Sequence, residues 1–418
     1  MKKTLLLSVA ASTMIMAGGD IAPVEPVADT PAVQEKTSNW DFSGQGVVYY
    51  QTVDVHDWLK NEDTGLFKQT SSAATAGLSF KAENKDIIAG IGAGFRVNGL
   101  ATLGLEHDVV SQVMQNNDGN LTGGWISEAY ATAKLGSTTL KLGRQTLPAS
   151  LSPFAHSENW NVFENTYDAA LVVNAGLVPE TTLVGAWVYR NNQNGYFSDI
   201  TTFNRTNNTD GVYMLTAQTK LIPSTTVTGT WYHLPKDKDD HDIIWGDVQS
   251  NLGMFSVGLQ GGVVQGDDIE DTKSYGLKLG ASYAYSNFYS GGPTRATFNL
   301  SGAYTSVNDS SAGVFNVGGQ QSTLYTQMIH NESAIANNST AWKVDANVAL
   351  LGGTFGVAYG ASDKDDSASE VGKDGFTELD IYYTADVGSV NLLAGYVLNT
   401  EDNTDDVNIV RVVARYKF

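Results

Sequence analysis

The chain has 418 residues, no cysteine and a formal net charge of −20, and charged residues make up 17% of it, below the roughly 25% of typical soluble proteins. A mean hydropathy of −0.18 excludes a polytopic helical membrane protein, which needs repeated apolar runs of about 20 residues. The acidic balance argues against nucleic acid as a partner, and the lack of cysteine excludes a disulfide scaffold.

The N-terminal residues predict an export signal followed by a linker. Two lysines precede an apolar run at 4–16, and Ala17 offers a small residue for cleavage. We interpret residues 1–17 as a Sec-type signal peptide. Residues 18–39 contain three prolines and several acids, which break helices and central strands. We interpret them as a periplasmic linker; the alternative is a segment that enters and plugs a lumen.

From Trp40 onward, apolar and polar residues alternate. In 376–387, for example, Leu379, Ile381 and Tyr383 alternate with acidic and polar residues. Successive side chains of a strand point to opposite faces, so the pattern predicts strands with one apolar and one polar face. The alternating stretches have the length of a tilted bilayer span, about ten residues, whereas strands of soluble proteins average about five or six.

Short and long connections follow each other in turn along the chain. Eight short turns, among them Asn84–Asp86, Gly136–Ser137 and Gly388–Ser389, alternate with nine longer polar connections. These include 265–272 and the longest connection, 307–340. We therefore predict an all-β fold, a transmembrane antiparallel β-barrel of about 18 strands over residues 40–418. Short periplasmic turns and long extracellular loops are typical of such barrels. In lipid the sheet has to close, and a barrel of this size leaves an aqueous lumen.

The C-terminal segment is typical of the last strand of a barrel. Phe418, Tyr416 and Val412 share one face, whereas Arg415 and Arg411 take the other. A terminal phenylalanine after alternating apolar residues resembles the strand that the barrel assembly machinery recognises, so Tyr416 and Phe418 are the expected signal and that machinery is an expected partner. With the signal peptide, this predicts the cell outer membrane as the location, in contact with outer-membrane lipid and lipopolysaccharide.

The stretch 138–192 resembles the OprD-like outer-membrane porins, in particular the Opr-family porins of campylobacter-type (epsilon-group) bacteria. The resemblance rests on LKLGRQTL at 140–147, NVFENTYDAALVVN at 161–174 and VPETTLVGAWVYRNN at 178–192. It implies a diffusion channel for small hydrophilic solutes or ions, with a third loop, 148–164, folded inward to narrow the lumen. It is compatible with a homotrimer. It implies no particular solute, because the chain lacks the arginine density of amino-acid-selective members.

Charged side chains on the polar strand faces, with those of the third loop, are candidates for lining or constricting the pore. Rings of fixed charge set the potential that an ion meets inside a channel. An alternative that stays open is that many of these charges pair across strands and only satisfy the wall. The candidates are Arg96, Glu128, Arg144, His156, Glu158, Asp168, Arg295, Asp345, Glu378, Asp380, Arg411 and Arg415.

The long connections hold most of the acidic residues. Clusters at 237–242, 267–271, 363–370 and 401–406 would make the channel mouth negative and enrich cations there. We therefore expect a mild cation preference. Oxygen-rich clusters can bind Ca²⁺, but none of these has the spacing of an EF-hand, so solvated acids are the simpler interpretation and no cofactor is expected.

The sequence offers little support for an enzyme. It has no G-x-S-x-G elbow and no Walker loop, and neighbouring residues such as His107 and Asp108 point to opposite faces when they lie on a strand. We predict a protein without catalytic activity. The alternative to a channel is a structural or adhesive surface protein with a plugged lumen, whose Ser- and Asn-rich connection at 307–340 contacts a host or a neighbour.

Overall fold

The computed structural model describes residues 39–55, 65–208, 210–235, 240–266, 269–285, 296–308, 310, 312–350, 352–364, 374–401 and 406–418. The predicted signal peptide, residues 18–38 and the candidate Arg295 lie outside these described residues. Within the part that is described, no helix is long and apolar enough to cross a membrane.

The described chain is almost entirely β-structure. Its helices are one turn each, at Gln69–Ser71, Leu105–His107, Thr206–Asn208 and Glu332–Ile335. The strands are β1 (Asp41–Val55), β2 (Ser72–Ile88), β3 (Ile91–Ala101), β4 (Gln115–Asn116), β5 (Gly123–Leu135), β6 (Thr138–Gln145), β7 (Tyr167–Asn174), β8 (Thr181–Asn191), β9 (Ser198–Asp199), β10 (Asn204–Arg205), β11 (Val212–Thr219), β12 (Thr225–Leu234), β13 (His241–Leu252), β14 (Phe255–Gly266), β15 (Ile269–Tyr285), β16 (Ala296–Val307), β17 (Ser339–Leu350), β18 (Gly353–Lys364), β19 (Asp374–Val387), β20 (Val390–Glu401) and β21 (Val407–Lys417).

Eighteen of these strands, all except the two-residue β4, β9 and β10, form a closed antiparallel barrel, which confirms the predicted fold class. Each barrel strand pairs with the next along the chain, and β1 also pairs with β21, with Gln45 opposite Lys417. The seam continues beyond β21, because the Gly44 N–H donates to the Phe418 carbonyl at 2.8 Å and the Phe418 N–H donates to the Gly44 carbonyl at 3.0 Å. Closure gives the backbone of the first and last strands partners within the sheet.

The two ends of the barrel differ in their connections. At the turn end, as we call it, strands are joined by tight turns in which Gly136 and Gly388 have φ values of 61° and 62°, a conformation that glycine adopts at little steric cost. The opposite, loop end carries the longer connections. These connections include the second loop (102–122), the third loop (146–166), the fourth loop (192–211) and the seventh loop (308–338).

Two predicted boundaries differ from the structure. The connection expected at 265–272 is mostly strand, since β14 ends at Gly266 and β15 begins at Ile269. The turn expected at 84–86 lies inside β2, which runs on to Ile88 past a register shift. Beyond an apolar belt, polar residues are compatible with strand pairing, so polar composition alone did not mark these strand ends.

The two faces of the wall follow the predicted alternation. In β19, Glu378, Asp380 and Tyr382 are buried on the inner face, whereas Ile381 and Tyr383 are exposed on the outer face. The loop-end half of the wall departs from the expected polar inner face, because buried apolar side chains line it in β8 and β11–β14. They form an apolar core with the third and seventh loops, so part of the interior is packed rather than filled with water.

Candidate functional site

The third loop contacts the inner face of the wall at two separate places. Phe154 packs edge-on against Tyr232 and Trp245, with ring centroids 5.7 Å and 5.2 Å apart. Phe163 packs edge-on against Trp125 at 5.5 Å. Gly77 makes room for this ring, since a Cβ atom there would lie 2.5 Å from the ring of Phe163. Apolar anchors therefore hold both arms of the loop inside the barrel.

Arg415 connects the last strand to the third loop. Its guanidinium donates to the carbonyl of Val162 at 2.9 Å, to that of Asn159 at 3.1 Å and to that of Asn161. A guanidinium is a fixed fork of donors without an acceptor, so it suits a cluster of carbonyl oxygens. This candidate faces inward, and its charge is engaged by the loop backbone.

Glu158 joins the third loop to the seventh. Its fully buried carboxylate accepts hydrogen bonds from Trp160 Nε1, Asn316 Nδ2 and the Gln321 N–H, each at 2.8 Å, and from the Gln320 N–H at 3.1 Å. Such charge-assisted bonds are stronger than neutral ones. The structure places Glu158 between the two loops rather than on an open surface.

His156 belongs to the same contact. The Asn316 side chain bridges it, because its Nδ2 donates to the His156 carbonyl at 2.8 Å and its Oδ1 accepts from the His156 N–H at 2.9 Å. The Tyr167 hydroxyl donates to the same carbonyl at 2.8 Å. Burial lowers the pKa of the His156 imidazole, and the neighbouring Glu158 charge opposes this. The ring is thus held neutral inside the loop contact.

The second and fourth loops complete the inner assembly through Gln115. Its Nε2 donates to the Phe163 carbonyl at 2.8 Å and to Asn194 Oδ1 at 3.0 Å, and its Oε1 accepts from the Phe163 N–H at 2.9 Å. Nearby, β4 of the second loop pairs in parallel with β9 of the fourth. Four loops are therefore connected inside one barrel, in part by side chains that were not among the candidates, namely Gln115, Asn194 and Asn316.

Arg411 lies buried on the inner face where the third and fourth loops meet β1. Its Nε donates to Gln51 Oε1 and its Nη2 to the Tyr196 hydroxyl, both at 3.0 Å. Its guanidinium also lies 5.5 Å from the Trp160 ring centroid and 5.8 Å from that of Tyr49, within the range of cation–π attraction. This candidate lies in an aromatic setting.

Arg96 and Glu128 form an inward ion-pair network. Glu128 is fully buried and lies 2.8 Å from Arg96 Nη2 and 3.0 Å from Lys81 Nζ. Arg96 also contacts Glu164 of the third loop at 2.5 Å. A register shift next to Ser127 turns Glu128 inward, as β-bulges commonly do.

Three acidic side chains lie on the inner face of β17 and β19, beside the seventh loop. Glu378 Oε1 accepts the His330 N–H of the seventh loop at 2.8 Å, whereas Glu378 Oε2 and Asp380 Oδ1 are buried without a hydrogen-bond partner among the described residues. Asp345 accepts the Tyr382 hydroxyl at 2.9 Å. Burial, reinforced by the charge of Arg411, lowers the pKa of His330 to about 4.

Across the described part of the chain, no three His, Asp or Glu side chains are grouped so as to hold a metal ion.

Two candidates face outward, which corrects their interpretation as lining the pore. Asp168 lies between the buried, inward Tyr167 and Ala169, and Arg144 shares the outer face with the exposed Leu142. Arg144 Nε donates to Asp168 Oδ1 at 2.8 Å. Both residues lie near the loop end, where a charged side chain on the outer face can reach water, so the alternation of polar and apolar residues did not reveal their direction.

Comparisons with known proteins agree on the fold. No protein-family model and no curated protein sequence matches the chain. Among solved structures, OccAB3 of Acinetobacter baumannii is similar, with a TM-score of 0.70 and 14% identity over 91% of this chain and 99% of that one. OccK9 (OpdG) of Pseudomonas aeruginosa has a TM-score of 0.71 and 14% identity over 91% of this chain and 98% of that one. The outer membrane protein OpdK of Pseudomonas aeruginosa has a TM-score of 0.68 and 14% identity over 90% of this chain and 98% of that one.

Proposed function

We propose that the chain is an outer-membrane porin of the OprD-like kind, a diffusion channel that passes small hydrophilic solutes or ions. The closed barrel of eighteen strands carries this proposal. A barrel of that size encloses more space than the side chains of its own wall fill. Its outer face carries exposed apolar residues such as Leu142, Leu215 and Leu300, which suits a wall in contact with lipid.

The third loop, together with the seventh, narrows the lumen in this proposal. Support comes from the bonds of Arg415 to the third loop and from the seat of Glu158 between the two loops. The network of Lys81, Arg96 and Glu128 and the wall around Asp345 then face the remaining passage. Fixed charges in these positions would act on a passing ion.

We propose a mild cation preference. The chain carries 45 acidic residues against 25 lysines and arginines. Its acidic clusters at 237–242, 267–271, 363–370 and 401–406 lie largely outside the described residues, and we expect them at the mouth of the channel. A negative mouth raises the local concentration of cations.

We also propose a route by which the chain is exported. The signal peptide at 1–17 would direct export, and Tyr416 and Phe418 would be recognised by the barrel assembly machinery before insertion among outer-membrane lipid and lipopolysaccharide. A homotrimer and an origin in the campylobacter-type group stay part of the proposal. The exposed position of Tyr416 and Phe418 on the outer face of the seam is compatible with such recognition.

A second candidate is the structural or adhesive surface protein with a plugged lumen. The inner apolar core favours it, because Phe154, Leu324 and Ile335 of the inner loops are almost fully buried inside the barrel. In that case the four connected loops would close the passage instead of narrowing it.

Single-channel recording of the refolded protein in a planar bilayer tests these candidates. We expect discrete conductance steps and a reversal potential of the cation-selective sign in a KCl gradient. Replacement R415Q should raise the conductance, because it removes three bonds to the third loop, whereas K417Q on the same strand should leave it unchanged. A folded barrel without conductance would overturn the channel in favour of the plugged lumen, and anion selectivity would overturn the cation preference.

A further inference from the structure

A row of charged residues crosses the outer face of the barrel at the loop end. Arg144 on β6 is opposite Asp168 on β7, which is opposite Arg190 on β8, and Arg190 is opposite Arg205 on β10. The row therefore places three of the chain's seven arginines side by side. In a chain with a net charge of −20, this concentration of guanidinium groups needs an explanation.

A β-bulge directs the centre of this row outward. The pairing of β7 with β8 shifts between Asp168 and Ala169, so that Tyr189 is inserted and Arg190 changes face. Val188 is buried on the inner face two positions earlier, whereas Arg190 reaches Asp168 Oδ2 at 2.8 Å with its Nη2. Bulges that re-aim a side chain commonly occur next to functional sites.

The row holds more positive charge than its own carboxylate can neutralise. Asp168 already accepts two bonds from Arg144, at 2.8 Å and 3.3 Å, besides its contact with Arg190. Among the described residues, Asp210 is the only carboxylate within reach of Arg205, at 3.9 Å, and its side chain is 85% exposed. Like charges directly opposite each other in a sheet are unfavourable, so Arg190 and Arg205 leave a place for a further anion.

The surroundings of the row match a membrane surface. Below it on the same face lie the exposed Leu140 and Leu142, and beside it Trp187 packs against Tyr189 at 5.2 Å. Arg190 and Arg205 both lie within 6 Å of the Tyr189 ring, at 5.7 Å and 5.9 Å. Tryptophan and tyrosine concentrate at the level of lipid headgroups, and planar guanidinium groups bind phosphate oxygens in a bidentate manner.

We propose that this row binds a phosphate group of a lipid headgroup in the outer leaflet, with Arg190 and Arg205 as its main ligands and Arg144 held in place by Asp168. The inference rests on the proposed outer-membrane location. It goes beyond a barrel that merely lies among lipids, because it names a fixed site on one part of the outer face.

Native mass spectrometry of the full chain in detergent, titrated with diphosphoryl lipid A, tests the site. The affinity of the double variant R190Q/R205Q for this lipid should fall at least about tenfold, because the variant loses two charge-assisted contacts. The matched control K85Q/K220Q removes two exposed lysines at the turn end and should bind like the natural protein. The variant D168N frees both neighbouring arginines and should bind at least as tightly.

The remaining outcomes decide between sources of the anion and between proposals. Lipid A without phosphate groups should show no difference between the proteins. Equal affinity of R190Q/R205Q and the control for diphosphoryl lipid A would overturn the site, and full competition by inorganic phosphate at equal concentration would overturn its assignment to lipid. Single-channel conductance of the natural protein is recorded in parallel. If the protein conducts but R190Q/R205Q binds lipid A like the control, only the lipid site is wrong. If R190Q/R205Q binds lipid A more weakly than the control but the natural protein never conducts, only the proposed channel is wrong.

Discussion

Gly319 lies so close to Glu158 that any side chain at this position would displace the carboxylate. A Cβ atom on Gly319 would lie 2.0 Å from the carboxyl carbon of Glu158. We expect G319A to weaken the contact between the third and seventh loops by about 1–3 kcal/mol, the usual range for a disrupted buried bond network. The measurement is limited proteolysis of the folded barrel, in which cleavage within 308–338 should become faster.

The control for this prediction is G46A, since no atom lies within 4 Å of a Cβ built on Gly46. Its cleavage rate should equal that of the natural protein. If G319A were as resistant as G46A, Glu158 would not hold the loops together.

For individual residues, the alternation of polar and apolar residues predicts the face to which some charged side chains point, but not others. Arg411 and Arg415 face inward because β21 is regular and its apolar partners occupy the other face. Arg144 and Asp168 face outward near the loop end. There a polar side chain reaches water on either face of the wall, so its polarity does not indicate the direction in which it points. The roles of Glu158 and Asn316 depend on two loops 158 residues apart in sequence, and no local pattern encodes that distance.

Among the elements, the β-bulges decide which charges meet. Register shifts lie beside Ser127 in β5 and beside Tyr189 in β8. The first turns Glu128 inward toward Arg96, and the second turns Arg190 outward toward Asp168. One inserted residue moves every later side chain of a strand to the other face. The residues around Ser127 and Tyr189 contain no local signal, such as a proline, that would have predicted the insertions.

The seventh loop is the element whose position should depend on pH. His330 has a pKa of about 4 in the folded chain, against an ordinary value of 6.5. Since the folded state disfavours the charged ring, the stability it contributes is present above about pH 6.5 and is lost as the pH falls toward 4. We expect the seventh loop to loosen over this interval, which single-channel recording would detect as a rising conductance.

The variant H330Q isolates this effect from the carboxyl groups nearby. Other charged groups lie near His330 or near one another, and both proteins retain them: Glu378, Asp380, Glu332 and Arg411. The conductance of H330Q should change less between pH 7 and pH 4 than that of the natural protein. Identical pH profiles would show that His330 has no part in holding the loop.

For the whole molecule, the closed seam makes the last residue a test of assembly. The Phe418 ring lies 5.6 Å from that of Phe80 and 5.8 Å from that of Tyr416, on the outer face. In F418A the backbone pairing with Gly44 is retained, so a refolded barrel should unfold at nearly the same temperature. The amount of assembled barrel in cells should fall severalfold, which heat-dependent gel migration of outer-membrane fractions would measure.

The matched control is F42A, which truncates another exposed aromatic side chain on the outer face, in β1. If F42A and F418A lowered the assembled amount equally, Phe418 would act through packing alone. The predicted role as an assembly signal would then be wrong.

The architecture as a whole was largely predictable, whereas its interior was not. A side-chain period of two and the alternation of short and long connections depend only on local sequence, and together they predict about eighteen strands and a closed sheet. The apolar core around Phe154 and Trp245 depends on which loop enters the lumen. That choice is made by packing between distant segments, so the polar inner face expected from single strands did not extend to β12 and β13.

That inner core also gives the third loop a characteristic temperature dependence. Release of Phe154 from Tyr232 and Trp245 would expose apolar surface to water, and such exposure raises the heat capacity. The free energy that holds the loop against the wall is then a curved function of temperature, with a maximum, and it weakens on cooling as well as on heating. A passage bounded by this loop would be most tightly set at an intermediate temperature and would loosen in the cold.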